Sequence, residues 1–181
     1  MTTDELTRPE RVAIARLQAM LELLPTALDR ELAPAGLTAF EYTLLEALAE
    51  APDHRLRLST LAARTNASLP RLSRVVTGLE RKGLAERTPC PSDARATNAV
   101  LTPEGLATFE RTRPRHAAAV RTMVLDALGP DDVDDLARLM LAVLTRLDPA
   151  GRLTVTADAA CPADPPTCPA DPPACPADPA A

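Results

Sequence analysis

Residues 54–105 read HRLRLSTLAARTNASLPRLSRVVTGLERKGLAERTPCPSDARATNAVLTPEG. Nine basic side chains stand against three acidic ones between 54 and 95, a local charge of +6 in a chain of net charge −5. The other residues therefore carry −11. A basic island on an acidic chain is the footprint of a polyanion site, most economically nucleic acid. Its internal order sharpens that reading. A short helix opens at Leu58-Ser59, with Ser59 as the expected N-cap and Leu61 and Ala62 as its packing face. Thr65-Asn66-Ala67 breaks it, because Asn tolerates left-handed geometry. Ser68 caps a second helix and Pro70 falls in its first turn, where a missing N–H costs little.

In this second helix Leu69, Leu72, Val75, Val76 and Leu79 recur at helical spacing and form one apolar stripe. At about 100° per residue the opposite side presents Pro70, Arg74, Thr77 and Arg81, flanked by Arg71 and Ser73. Two short helices, the second with arginines and hydroxyls outward, form a helix-turn-helix. Arg offers a fork of donors to guanine edges or phosphates, and Ser or Thr reaches either base or backbone. Gly83 suits a left-handed C-cap. Beyond it the period changes to alternation: 84–88 reads as a strand, 96–101 as its return, and 89–95 as a turn-rich loop. A helix-turn-helix followed by a hairpin is a winged helix.

The run Leu84…Arg87…Asp93-Ala94-Arg95…Leu101-Thr102-Pro103-Glu104-Gly105 resembles the wing of the MarR (multiple antibiotic resistance regulator) family. SRVVTGLERKGL at 73–84 resembles that family's recognition helix and its exit. The resemblance extends in element order over roughly 8–147 and is most specific between 68 and 105. It implies a homodimer with a recognition helix in the major groove and a wing arginine in the minor groove. Carried over, Arg95 is the minor-groove contact, Asp93 the carboxylate that orients the wing, and Arg74 the recognition-helix arginine. A narrow minor groove has enhanced negative potential, which suits an inserted Arg. Ser68, Pro70, Arg71, Ser73 and Thr77 complete the expected DNA face, and Arg64, Arg81 and Arg87 are expected at phosphates.

Around the island the chain is helical. A helix over 9–32 carries Pro25, expected to kink or split it. Pro34-Ala35-Gly36 is a break, and Thr38…Glu41 fits a capping box for a helix over 39–50 that buries Phe40, Leu44, Leu45 and Leu48. Thr102 caps a helix from Pro103 to about 128, kinked at Pro114. The last helix opens on acidic residues at 131–135, favourable for its dipole. Val133, Leu136, Leu139, Met140, Val143, Leu144 and Leu147 form its wide apolar stripe. The fold class expected is mainly α with a small β-hairpin wing: a winged helix-turn-helix domain over 1–147. Its DNA-binding lobe covers about 38–102, and the helices at about 8–32 and 103–147 form a dimerisation lobe. The residues from 148 to 181 contain nine prolines and a seven-residue CPADPP-type repeat. Such composition forms no ladders and reads as disordered with polyproline II character.

The expected partners are double-stranded DNA, a second copy of the chain, and a small aromatic or lipophilic effector, which the resemblance places between the lobes with Phe40 and Tyr42. No cofactor or metal is expected: His54 and His116 are isolated, and Cys161, Cys168 and Cys175 lack the close spacing of zinc sites. Stable disulfides are not expected of cytosolic thiols. Cys90, in a wing expected to be exposed with Arg87 and Arg95 to favour its thiolate, is the candidate redox residue. The first ten residues lack a secretory pattern and no run approaches the roughly 20 apolar residues of a membrane span, so a cytoplasmic protein is expected. Phosphate-cradling, zinc-protease and nucleophile-elbow motifs are lacking, so no enzyme is expected. Two alternatives stay open. One is a winged-helix protein-interaction module with a Pro-rich recruiting tail, and the other is a cysteine-based redox-responsive regulator.

Overall fold

The computed structural model describes residues 5–90 and 93–148, with 93–95 described by backbone alone. The tail expected from 148 onward lies, from 149, outside the described residues. Helix α1 spans Arg8–Leu32, α2 Ala39–Ala49, α3 Leu58–Arg64, α4 Leu69–Arg81, α5 Pro103–Met123 and α6 Asp132–Leu147. Strands β1 (Arg55–Arg57), β2 (Ala85–Cys90) and β3 (Asp93–Leu101) form an antiparallel sheet in the order β1-β3-β2. The wing strands reach closer to the hairpin tip than alternation predicted. The sequence pattern does not announce β1: a three-residue Arg-Leu-Arg is too short to show a period, and its pairing with β3, Leu56 opposite Ala99, makes it a strand.

Local chemistry sets the helix ends. Glu41 N–H donates to Thr38 Oγ1 at 3.1 Å while Glu41 Oε2 accepts from Thr38 N–H at 2.8 Å, closing the expected capping box of α2. Asn66, at φ +48°, carries the turn between α3 and α4. Gly83, at φ +71°, ends α4, and Leu84 N–H returns to Leu79 O at 2.9 Å. Two expectations fail at helix starts. Arg57, not Ser59, is the N-cap of α3, so Ser59 lies inside the helix. Leu69 is exposed and leaves the apolar stripe of α4, since it sits in the first turn ahead of the packed face. Pro25 and Pro114 lie inside α1 and α5, and neither ends its helix. α5 stops earlier than expected, at Met123, and a 3-10 turn at Leu125–Ala127 follows.

The core gathers Leu44, Leu45 and Leu48 of α2, Leu61 of α3, Leu72, Val76 and Leu79 of α4, and Ala99 and Leu101 of β3. Tyr42 anchors α5 to it. Its ring stacks on His116 at 4.1 Å and lies tilted to Phe109 at 5.4 Å. Burial pushes the Tyr42 hydroxyl up to about 12, with the nearby Glu46 carboxylate adding to the shift. Burial also raises Glu46 above its ordinary carboxylate value and lowers His116 below its ordinary imidazole value. One ion pair joins α2 to the exit of α4: Lys82 Nζ lies 2.6 Å from Glu41 Oε1 and donates to Gly36 O at 2.8 Å.

α1 and α6 contrast with this core. α1 buries only Leu32, and α6 buries nothing. Leu21, Leu23, Leu139, Leu141 and Leu147 are all at least half exposed.

Two predictions follow from the core. Glu41 is 8% exposed, so removing its cation leaves a carboxylate with too little solvent. Lys82→Ala should cost about 1–3 kcal/mol of stability in urea unfolding; a loss under about 0.5 kcal/mol would class the pair with surface ion pairs. His116 titrates lower when folded, so its contribution is complete above its ordinary pKa of 6.5 and is lost as pH falls through that value toward the lowered one. Wild type should lose melting temperature on acidification below 6.5 faster than His116→Phe, which keeps a ring on Tyr42. Parallel curves would remove His116 as the cause. Glu46 is present in both proteins and cancels in the difference.

Candidate nucleic-acid interface

The outer side of α4 carries Arg71, Arg74 and Arg81. Arg74 and Arg81 are exposed and carry neither an ion pair nor a hydrogen bond among the described residues. Ser68 is the N-cap of α4, yet its side chain makes no cap hydrogen bond. Its hydroxyl and the first free N–H groups of the helix therefore form an anion-ready end beside Pro70. Arg71 is exposed too, but positioned: its guanidinium sits 4.4 Å from the centroid of the Phe40 ring. Such a contact between α4 and the start of α2 holds a long side chain by cation–π attraction.

The other expected contact residues are more committed. Arg64 Nη2 is 3.7 Å from Glu50 Oε2. Arg87 is turned toward α4, not toward solvent. Its Nη1 pairs with Glu80 Oε2. Its Nη2 donates to Ser73 O at 2.7 Å, to Thr77 Oγ1 at 3.1 Å and to Ser73 Oγ at 3.3 Å. Its backbone N–H donates to Glu80 Oε1 at 3.1 Å. Thr77 Oγ1 in turn donates to Ser73 O at 3.0 Å. A signal for this was present in the alternation of β2. Arg87 opposes Ala99 and has the parity of Ala85, both buried, so its side chain leaves on the helix side of the sheet. Asp93 and Arg95 belong to β3, with Asp93 paired to Cys90 by backbone; their side chains lie outside the described residues.

Phe40 and Tyr42, grouped by sequence as one effector pocket, occupy opposite sides of α2. Residues two apart on a helix are about 200° apart around its axis. Phe40 meets Arg71 while Tyr42 is 1% exposed in the core, so one cavity is not lined by both rings. Cys90 also departs from expectation. It is 3% exposed and accepts from Arg57 Nη2 at 3.5 Å, so it is not an exposed wing thiol. Arg87 is committed to Glu80, Ser73 and Thr77 and does not attend it. Among the described residues no group of three or more His, Cys, Asp or Glu side chains is placed to hold a metal ion. Nor is any helix among them long and apolar enough to cross a membrane.

Known proteins share this fold. A family model described as MarR family matches residues 35–96, from the turn before α2 to the wing. The HTH-type transcriptional repressor YetL of Bacillus subtilis is 28% identical over 120 residues, covering 66% of this chain and 71% of its own. Among solved structures, AbsC of Streptomyces coelicolor, a MarR family transcriptional regulator, is 36% identical over 81% of this chain and 99% of its own, with a TM-score of 0.76. Sco3205 of the same organism, a MarR family transcriptional regulator solved in complex with DNA, is 39% identical over 79% of this chain and 94% of its own, also with a TM-score of 0.76.

Proposed function

Because the chain belongs to the MarR family of non-enzymatic, DNA-binding transcriptional regulators, we propose that it represses transcription by binding a palindromic operator as a homodimer. The observation that carries this reading is the outer face of α4. Arg74 and Arg81 are unpaired there among the described residues, and Arg71 stands ready on Phe40, beside a hairpin whose β3 includes Arg95. Free guanidinium groups on a helix of this kind match guanine edges and phosphates in a major groove. A wing arginine matches the negative potential of an adjacent minor groove. Arg64, already beside Glu50, and Arg81 are the proposed phosphate contacts, and Asp93 the proposed partner that orients the wing.

Dimerisation is proposed through α1, α5 and α6. Leu21 and Leu23 of α1, Met123 of α5 and Leu139, Leu141 and Leu147 of α6 are exposed apolar side chains of the kind that mark an interaction surface. Between α1, the 3-10 turn after α5 and α6 runs an apolar groove of about 570 Å³, lined among others by Met20, Leu23, Leu24, Met123, Leu128 and Leu136. A two-fold dimer places two copies of α4 on successive half-sites. A small aromatic or lipophilic effector is proposed between the dimerisation and DNA-binding lobes, against α1, α2 and α5. It would regulate only by binding more tightly to one spacing of the two recognition helices than to another.

DNA from the region upstream of the protein's own gene is the first probe. Arg74→Ala and Arg95→Ala should each weaken binding by about 1–3 kcal/mol, roughly tenfold to a hundredfold, with melting temperature and dimer unchanged. Wild-type protein that binds no duplex at low salt would end the repressor reading. Leu139→Asp, on the exposed face of α6, should yield a monomer in sedimentation equilibrium; a persisting dimer would move the interface elsewhere.

A further inference from the structure

The Arg87 guanidinium is engaged with the recognition helix on every side that its hydrogen bonds show. It leaves β2, crosses to α4, pairs with Glu80 and donates to the Ser73 carbonyl and the Thr77 hydroxyl. Glu80 closes the loop from the helix side by accepting the Arg87 backbone N–H at 3.1 Å as well. One carboxylate thus holds both the main chain and the side chain of a single wing residue. The Arg87 and Glu80 side chains are 25% and 30% exposed, too enclosed for a freely solvated pair. All of their partners lie on α4 or on Arg87 itself.

We propose that Glu80 and Arg87 form a latch that fixes the angle between wing and recognition helix, making Arg87 a positioning residue and not a phosphate contact. The proposal rests on the DNA-binding reading above. α4 and the β2–β3 hairpin meet different grooves of one duplex, so their relative angle decides whether both engage together. An arginine fork supplies several donors in one plane and resists rotation in a way a single ammonium does not. The latch also orders a reading residue. The Thr77 hydroxyl spends its proton on Ser73 O and a lone pair on Arg87, so its rotor is fixed before DNA arrives.

Electrostatics alone and the latch give opposite signs for one substitution, Glu80→Gln. Removing a carboxylate beside a polyanion should tighten binding if only charge matters. The latch requires it to weaken binding, because the carboxylate is what holds Arg87. The experiment measures wild type, Glu80→Gln, Arg87→Ala and Arg87→Lys against two duplexes across a salt series, with melting temperature alongside. One duplex is selected by the wild-type protein from a randomised library, and the other has random sequence. All three variants should bind the selected duplex about tenfold more weakly while binding the random duplex as wild type does. The slope of log affinity against log salt should be unchanged in Arg87→Ala. The Glu80→Gln/Arg87→Ala double variant should be no weaker than either single one.

Glu80→Gln binding the selected duplex as well as wild type, or better, would overturn the latch. So would a slope reduced by about one in Arg87→Ala with both duplexes equally weakened, the mark of a lost phosphate contact. Arg87→Lys keeps the charge and covers the case in which Arg87→Ala does not fold; near-wild-type binding by it would also overturn the latch. Lower melting temperatures with an unchanged selected-to-random ratio would reduce the pair to a stability role and overturn it too. Wild-type protein that binds neither duplex would overturn the proposed function, and the latch with it.

Discussion

The backbone contact around Leu84 is the constraint on which the rest of the DNA-binding lobe depends. Leu84 is the first residue past the left-handed Gly83, and its carbonyl accepts Thr102 N–H at 3.2 Å. Thr102 Oγ1 donates to Gly83 O at 2.7 Å while accepting from Gly105 N–H at 2.9 Å. A Cβ on Gly105 would stand 1.9 Å from Leu84 O, so only glycine lets the first turn of α5 come this close. The exit of α4, the base of the hairpin and the start of α5 are therefore one joint. Fixing it sets the direction of the wing and carries α5 back across α2, where Tyr42 receives Phe109 and His116.

Much of this was legible because its signals are local. Asn66, Gly83, the Thr38–Glu41 box and Thr102 before Pro103 each act within a few residues of themselves. A single sequence shows such acts directly. β1 failed that test, since nothing in Arg-Leu-Arg announces a strand until Ala99 is beside it. The fate of Arg87 was readable in principle: alternation along β2 gives it the parity of the buried Ala85. Counting it simply as one more positive charge concealed that. Phe40 and Tyr42 teach the same lesson on a helix, where nearness in sequence opposes nearness in space.

The basic island is thus not a uniform patch. Arg74 and Arg81 are free among the described residues, Arg71 rests on an aromatic ring, Arg64 lies beside Glu50, and Arg87 is tied into the helix it faces. Net charge draws the chain to a polyanion, but the free and the tied cations differ in what they give. The former supply affinity that salt erodes, and the latter supply shape that salt hardly touches. The leucine-rich helices α1 and α6 bring a different material, an apolar surface that the other described residues leave exposed.

Lys82 is the only lysine in the chain, since the other nineteen basic residues are arginines. Its amine is occupied by Glu41 and Gly36 at the end of α4. Acylating reagents, which on most proteins scatter over many surface amines, here find a single side-chain target. That target is the cation that neutralises a buried carboxylate between two helices. Acylation at this site would remove the charge and strand Glu41, so a reaction usually treated as surface decoration becomes, in this chain, a chemical cut at a structural hinge.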